Sequence, residues 1–264
     1  MRYRLIIEYD GAEFCGWQSQ ADGRAVQDAL REAIKLFCGE TVTVYGAGRT
    51  DSGVHARGQV AHIDLDTAPQ PDRVRDGVNF HLRPSPVAVR AAYYARADFD
   101  ARFSALARHY RYRIVSQRAP VVLARDQAWW VPQPLDVAAM REASQYLLGK
   151  HDFSTFRASQ CQANSPLRTL DVLDVSASDA GIDIVARARS FLHSQVRSMA
   201  GALKLVGQGK WQPEDVKAAL IAADRRACAP VAPAHGLTFM SVDYPDVILV
   251  EPKNRPQENK SQEK

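Results

Sequence analysis

The sequence predicts an α+β fold of two ferredoxin-like halves, each with the order β-α-β-β-α-β. Three observations lead there. Short runs rich in Val, Ile and Tyr alternate polar and apolar residues, the period of a half-buried strand. Longer runs between them carry apolar residues at helical spacing. The order of these runs then repeats in the second part of a 264-residue chain, long enough for two domains of ordinary size. The halves share an order of elements and no sequence identity. Their mixed or antiparallel sheets are expected to abut, with helices packed on one side and an active-site cleft at the junction. The expected bounds are 1–105 for the first half, 106–251 for the second and 252–264 for a disordered polar tail.

Tyr3–Tyr9 (YRLIIEY) reads as a strand closed by Asp10-Gly11. A helix opens at Ala25, with Val26, Leu30, Ala33, Ile34 and Phe37 at helical spacing and Gly39 as its stop. Thr41–Tyr45 and Gln59–Leu65 read as the next two strands. Pro71–Leu82 predicts a helix with Pro71 in its first turn, ended by Pro84 and Pro86. Val87–Ala95 is the last strand of this half. In the second half Ala107–Val115 is strand-like. Leu135–Leu148 is helical, with Asp136 as N-cap and Val137, Met140, Ala143 and Leu147 on one face. Arg168–Ala177 and Gly181–Arg189 form a strand pair. His193–Val206 is a helix with Val196, Ala200 and Leu203 on one face. Pro213–Ala223 is an added helix and Gly236–Val242 a closing strand. Beyond Pro252 no large apolar residue occurs, which is the composition of a disordered tail.

Composition narrows the function classes. The net charge is +4 and the sequence pI about 8.9, which permits a nucleic-acid partner without demanding one. No apolar stretch approaches the roughly 20 residues of a membrane span, and Met1-Arg2-Tyr3-Arg4 leads straight into a strand with no signal-peptide core. A cytoplasmic location is expected. Cys15, Cys38, Cys161 and Cys228 are scattered, with no CxxC and no Cys/His cluster, so neither a zinc site nor a disulfide framework is expected. No cofactor is expected, and no nucleotide or metal motif is present.

The connection between the second and third strands holds the densest chemistry. A two-residue turn would close a hairpin there. The chain instead runs through Gly46-Ala47-Gly48-Arg49-Thr50-Asp51-Ser52-Gly53-Val54-His55-Ala56-Arg57-Gly58. Long glycine-rich connections between rigid strands are where binding and catalysis concentrate. In extended chain Arg49 and Asp51 project to the same side. Two readings stand: a surface ion pair, or a cation and a carboxylate presented on one loop. Further on, Tyr110, Tyr112 and Ile114 share one strand face, with Arg111 and Arg113 on the other. These are core aromatics of an amphipathic strand, or a ring that stacks on a base with arginines along phosphates. Arg197 sits beside the apolar stripe of its helix, where a solvated arginine is the plain reading. Leu237 opens the closing strand, where a core leucine is the plain reading.

Gly48-Arg49-Thr50-Asp51-Ser52-Gly53-Val54-His55-Ala56 resembles the signature of the TruA family of tRNA pseudouridine synthases. Tyr110-Arg111-Tyr112, Val196-Arg197 in Ser190–Gly201, and Ala232-Pro233-Ala234-His235-Gly236-Leu237 resemble further segments of that family in the same order, and Lys150–Arg157 is similar to its loop after a helix. Two positions depart: Ser194-Gln195 precede Val196-Arg197 where His or Tyr then Met is more usual, and Asp100 stands in Phe99-Asp100-Ala101-Arg102 where His is more usual. The resemblance spans nearly the whole chain up to Tyr244. It implies conversion of uridine to pseudouridine at positions 38–40 of the anticodon arm of tRNA. It implies Asp51 as nucleophile, Arg197 as the cation that keeps it ionised, Tyr110 against the target uracil and Leu237 as a wall over it. Arg49 is the candidate to fill the place of the flipped base or to hold its phosphate. Arg24, Arg57, Arg102, Arg108, Lys150, Arg157 and Arg168 are the expected phosphate contacts, giving salt-dependent affinity. His55, His151 and His193 are each structural or RNA-contacting. A homodimer is expected by family analogy. The competing classes are a non-catalytic RNA-binding or chaperone protein on the same paired folds, and a small-molecule enzyme whose basic charge is incidental.

Overall fold

The computed structural model describes residues 1–21 and 23–246, so the expected polar tail lies outside the described residues. The strands are β1 (Arg2–Tyr9), β2 (Tyr45–Gly46), β3 (His55–Asp64), β4 (Val87–Tyr94), β5 (Ala107–Ser116), β6 (Trp129–Val131), β7 (Gly149–Asp152), β8 (Leu167–Ser178), β9 (Gly181–Ala188) and β10 (Leu237–Asp243). The helices are α1 (Val26–Cys38), α2 (Pro71–Leu82), α3 (Val137–Gln145), α4 (Gln195–Gly207) and α5 (Pro213–Ala222). Local chemistry accounts for their ends. Gly39 closes α1 in the left-handed region at φ 79°. Pro71 opens α2. The Asp136 carboxylate accepts from the amides of Ala138 and Ala139 at the start of α3.

The α+β class stands, with one correction to the sheets. They do not merely abut: one mixed sheet runs β4-β1-β3-β10-β5-β9-β8-β7, with β2 on β3 and β6 on β5. In the first half the order is last strand, first strand, then β3 with β2. In the second it is β10, β5, β9, β8, again last, first, third, second. The join is β10, which pairs in parallel with β3 (Thr238 opposite His55, Phe239 opposite Ala56) and antiparallel with β5 (Leu237 opposite Tyr112, Phe239 opposite Tyr110). An edge strand presents unpaired backbone groups, and β10 removes two such edges at once.

Other expectations also shift. Thr41–Val44 makes no ladder, and only Tyr45 and Gly46 pair with β3. Val42 and Val44 are held by burial of their side chains. β6 and β7 went unanticipated because three- and four-residue strands show no period; the second lies in the segment read as a loop at Lys150–Arg157.

One face of the sheet is apolar. It carries Tyr3, Leu5 and Ile7 of β1, Phe239 of β10, Tyr112 and Ile114 of β5, and Ile184 and Ala186 of β9, all in one core cluster with Leu30 and Ile34 of α1 and Met199 and Leu203 of α4. The helices therefore lie on that face. The other face carries half-buried Arg111, Arg113, Asp183 and Arg187, where Arg113 grips Asp183 through two bonds of 2.8 and 2.7 Å. This is the apolar-in, polar-out alternation of a sheet covered on one side.

The β3–β10 seam gives the first prediction. A Cβ at Gly58 would lie 2.4 Å from the carbonyl oxygen of Met240, a backbone atom with no room to yield. Gly58→Ala is expected to destabilise the protein by about 2 kcal/mol, seen as a lower urea midpoint. A second concerns acid. His62 is buried, accepts from the Ala101 amide at Nδ1 (3.0 Å) and stacks on Tyr45. Burial lowers its pKa, so the fold favours the neutral ring. Its contribution is fully present above the unfolded value near ~6.5 and is lost as pH falls through that value toward the lower folded one. Stability should fall from pH 7 to pH 5, and His62→Gln should flatten that slope in urea titrations at the two pH values.

Candidate active site

The loop Ala47–Val54 is fixed before any ligand arrives. The Ala47 amide donates to Val60 (2.7 Å) and the Trp17 amide to Thr50 (3.1 Å). The Gln59 side-chain amide donates to the Gly48 carbonyl at 2.8 Å, and the Tyr9 and Thr50 hydroxyls bond at 2.8 Å in the core. Gly16, at φ 113°, lets the preceding segment press onto the loop: a Cβ there would sit 2.7 Å from the Thr50 carbonyl oxygen.

Arg108 adds the largest restraint, and this corrects its reading as a phosphate contact. It is buried, and its guanidinium donates to the carbonyls of Ala47 (2.7 and 3.2 Å), Arg102 (2.7 Å) and Arg189. Its donors face three loops and not the solvent. Burial pushes this guanidinium below the ordinary arginine value.

Asp51 points from the loop to the start of α4. Its Oδ2 accepts from Arg197 Nη1 and from the Ser194 hydroxyl, both at 2.9 Å. His193 Nε2 lies 3.3 Å from Oδ1. The positive end of the α4 dipole favours a carboxylate at this place. Arg197 is steadied in turn: its Nε donates to the Ala232 carbonyl at 2.9 Å, and its own carbonyl accepts from the Ala232 amide at 3.2 Å. The 230–232 segment can approach α4 because Gly201 has no side chain; a Cβ would meet the Pro230 oxygen at 2.1 Å.

Arg49 does not join this group. It is exposed, and among the described residues it has no hydrogen bond or ion pair to Asp51. The loop turns at Asp51, whose carbonyl accepts from the Val54 amide (3.1 Å), so the same-side geometry of an extended chain does not hold.

Tyr110 is buried, stacked on Phe239 (centroids 4.6 Å apart, 12° between planes) and edge-on to Phe191 (5.1 Å, 85°). Burial pushes its phenol well above the ordinary value, so it stays protonated. Its hydroxyl lies 3.7 Å from where a Cβ of Gly48 would stand, placing it under the loop. Leu237 is buried on the same face of β10, two residues before Phe239.

The expected phosphate contacts divide by exposure. Arg24, Arg57, Arg102 and Lys150 are exposed, with Arg24 donating to Ser85 (2.7 Å) and Arg102 lying over the Phe103 ring. Asp100, which received no role from sequence, accepts from the Arg102 and Phe103 amides (2.7 and 2.8 Å) and shapes that turn. Arg157 and Arg168 are half-buried, and Arg168 donates to the carbonyls of Ser165 and Leu167. Lys150 and Arg168 line one surface hollow with Arg189 and Ser190, and Asp51 is not in its wall. His151 bonds the Leu148 carbonyl, and His55 is buried and accepts from the Gly11 amide. The sequence reading missed the Ser194 contact and the Phe239 and Phe191 packing. Ser194 was visible only as a departure just before Val196-Arg197.

Removing the Arg108 fork would leave three loop carbonyls unpaired. Arg108→Met is expected to cost about 2 to 3 kcal/mol and to speed hydrogen exchange of amides in 47–54 and 189–194 more than in β8 and β9, as read by mass spectrometry.

Comparison with known proteins agrees with this geometry. The sequence profile of a family described as tRNA pseudouridine synthase matches residues 5–104 and 143–245, the two stretches that carry Asp51 and Arg197. A protein of Xanthobacter autotrophicus named tRNA pseudouridine synthase A is 59% identical over 92% of this chain and 99% of its own. Relatives of the same name from Parvibaculum lavamentivorans and Sinorhizobium fredii are 57% and 56% identical, each over 92% of this chain and 99% of their own. With both the Asp51 loop and the Arg197 helix inside the matched regions, the chain belongs to the tRNA pseudouridine synthase family.

Proposed function

We propose that this protein isomerises uridine to pseudouridine in the anticodon arm of tRNA, at positions 38–40, with Asp51 as nucleophile. Family membership carries the coarse reaction, uridine to pseudouridine in tRNA. The observation that carries the assignment of roles is the Asp51 carboxylate held 2.9 Å from Arg197 at the start of α4.

The chemistry asks little beyond a placed carboxylate. The C1′–N1 bond breaks, the uracil turns, and a C1′–C5 bond forms. C5 loses its hydrogen as a proton and N1 ends with one, so nothing is oxidised and no group is transferred from outside. Asp51 acts at the sugar or at the base, through a covalent adduct or a stabilised glycal. The uridine leaves the stack first, at a cost of a few kcal/mol. Exposed Arg49 is placed in this reading at the vacated position, Tyr110 under the base and Leu237 beside it. Arg24, Arg57, Arg102, Lys150, Arg157 and Arg168 hold backbone phosphates. A homodimer that shares one tRNA arm between subunits belongs to the same proposal.

The test is tritium release from tRNA labelled at uridine C5. Wild type is expected to release the label and Asp51→Ala to release none while retaining tRNA. Release by both proteins would remove Asp51 from its role. Release by neither, with salt-dependent tRNA binding kept, would favour the RNA-binding reading.

A further inference from the structure

The two oxygens of Asp51 are held unequally. Oδ2 accepts two short bonds, from Arg197 Nη1 and the Ser194 hydroxyl, both 2.9 Å. Among the described residues Oδ1 has one polar neighbour, the His193 ring at 3.3 Å, whose side chain is 42% exposed. A carboxylate cannot turn about its Cβ–Cγ bond without breaking both bonds to Oδ2, one of them charge-assisted.

Ser194 reaches Oδ2 from an unusual backbone. It has φ 56° and ψ 14°, and besides Ala223 it is the one non-glycine residue at positive φ among the described residues. Ala223 ends α5, where a left-handed residue is a normal stop. Ser194 stands at the beginning of α4, where a cap is ordinarily extended and its hydroxyl bonds the helix amides. Here the hydroxyl makes no such cap bond; it goes to Asp51 instead. Such conformations persist when their surroundings over-determine them. The side-chain oxygen of buried Gln195 accepts from the Leu192 amide (2.8 Å), the Gln195 backbone amide donates to the Leu192 carbonyl (3.1 Å), and the Ala158 amide donates to the His193 carbonyl (2.9 Å). The turn is braced on both sides of the strained residue.

We propose that Ser194 is a positioning residue that, with Arg197, locks Oδ2 and so assigns Oδ1 as the oxygen that reacts. This rests on Asp51 being the nucleophile. His193 covers Oδ1 in the free protein, and its exposure leaves it room to swing aside when a uridine enters. Ser194 touches no substrate; its effect is confined to the orientation of the carboxylate.

Two substitutions separate the hydroxyl from the strained backbone. Ser194→Ala removes the hydroxyl and keeps the strain. Ser194→Gly removes both, and glycine accepts this φ without strain. The single-turnover rate with saturating tRNA is expected to fall roughly tenfold in both, with tRNA dissociation constants within about twofold of wild type. The urea midpoint of Ser194→Gly is expected at or above that of Ser194→Ala. A wild-type rate in either variant overturns the proposal, as does a loss that follows tRNA affinity. A crystal structure of Ser194→Gly with Asp51 still in one orientation overturns it as well, and needs no turnover. Absence of tritium release by wild type would instead sink the reaction assignment, so the two failures are told apart.

Discussion

The ion pair between Asp51 and Arg197 joins positions 146 residues apart, and most of the architecture serves to bring them together. Half-buried charges lose hydration, and their attraction offsets that loss only when geometry is good. The pair is therefore a weak source of stability. The energy that holds it comes from the continuous sheet and from apolar burial on the helix face. β3 carries the loop, α4 carries the arginine, and β10 lies between β3 and β5 so that the two supports cannot drift.

What was legible in the sequence was what depends on local rules. Pro71–Leu82 matched its helix because proline and the apolar spacing mark both ends. Asp136 was recognisable because a cap needs only two nearby amides. The nine-residue signature and Val196-Arg197 pointed to the site because their strings are specific. What stayed hidden depends on partners distant in sequence. Thr41–Val44 has strand residues, and Val42 and Val44 are buried, yet only Tyr45 and Gly46 reach the β3 ladder. Arg108 resembles every other surface arginine until the three carbonyls it serves are brought together. The Arg49–Asp51 pairing failed because a turn, invisible to a two-residue alternation, rotates Asp51 toward α4.

Charge placement follows the same division. Arg108 is buried with backbone carbonyls as its partners and, among the described residues, no carboxylate in an ion pair. Its positive charge is solvated by the protein without being cancelled, directly beneath the loop that carries Asp51. Elsewhere arginines are offset: Arg113 by Asp183, Arg2 by Asp64, Arg226 by Asp224. A buried cation without a carboxylate partner adds to the positive field around its loop, and such a field favours an approaching polyanion.

The central position of β10 has a consequence for how the molecule comes into being. Thr238 pairs with His55 across most of the chain, so the middle strand of the sheet is synthesised after every other described strand. Until it leaves the ribosome, β3 at His55–Ala56 and the facing edge of β5 stay unpaired, and the loop that carries Asp51 lacks the strand that joins it to the half carrying α4. Pairing at such sequence separation is slow, because loop closure must precede the contacts that reward it. The pairing that joins the two halves of the Asp51–Arg197 site is therefore among the slowest that this fold has to make.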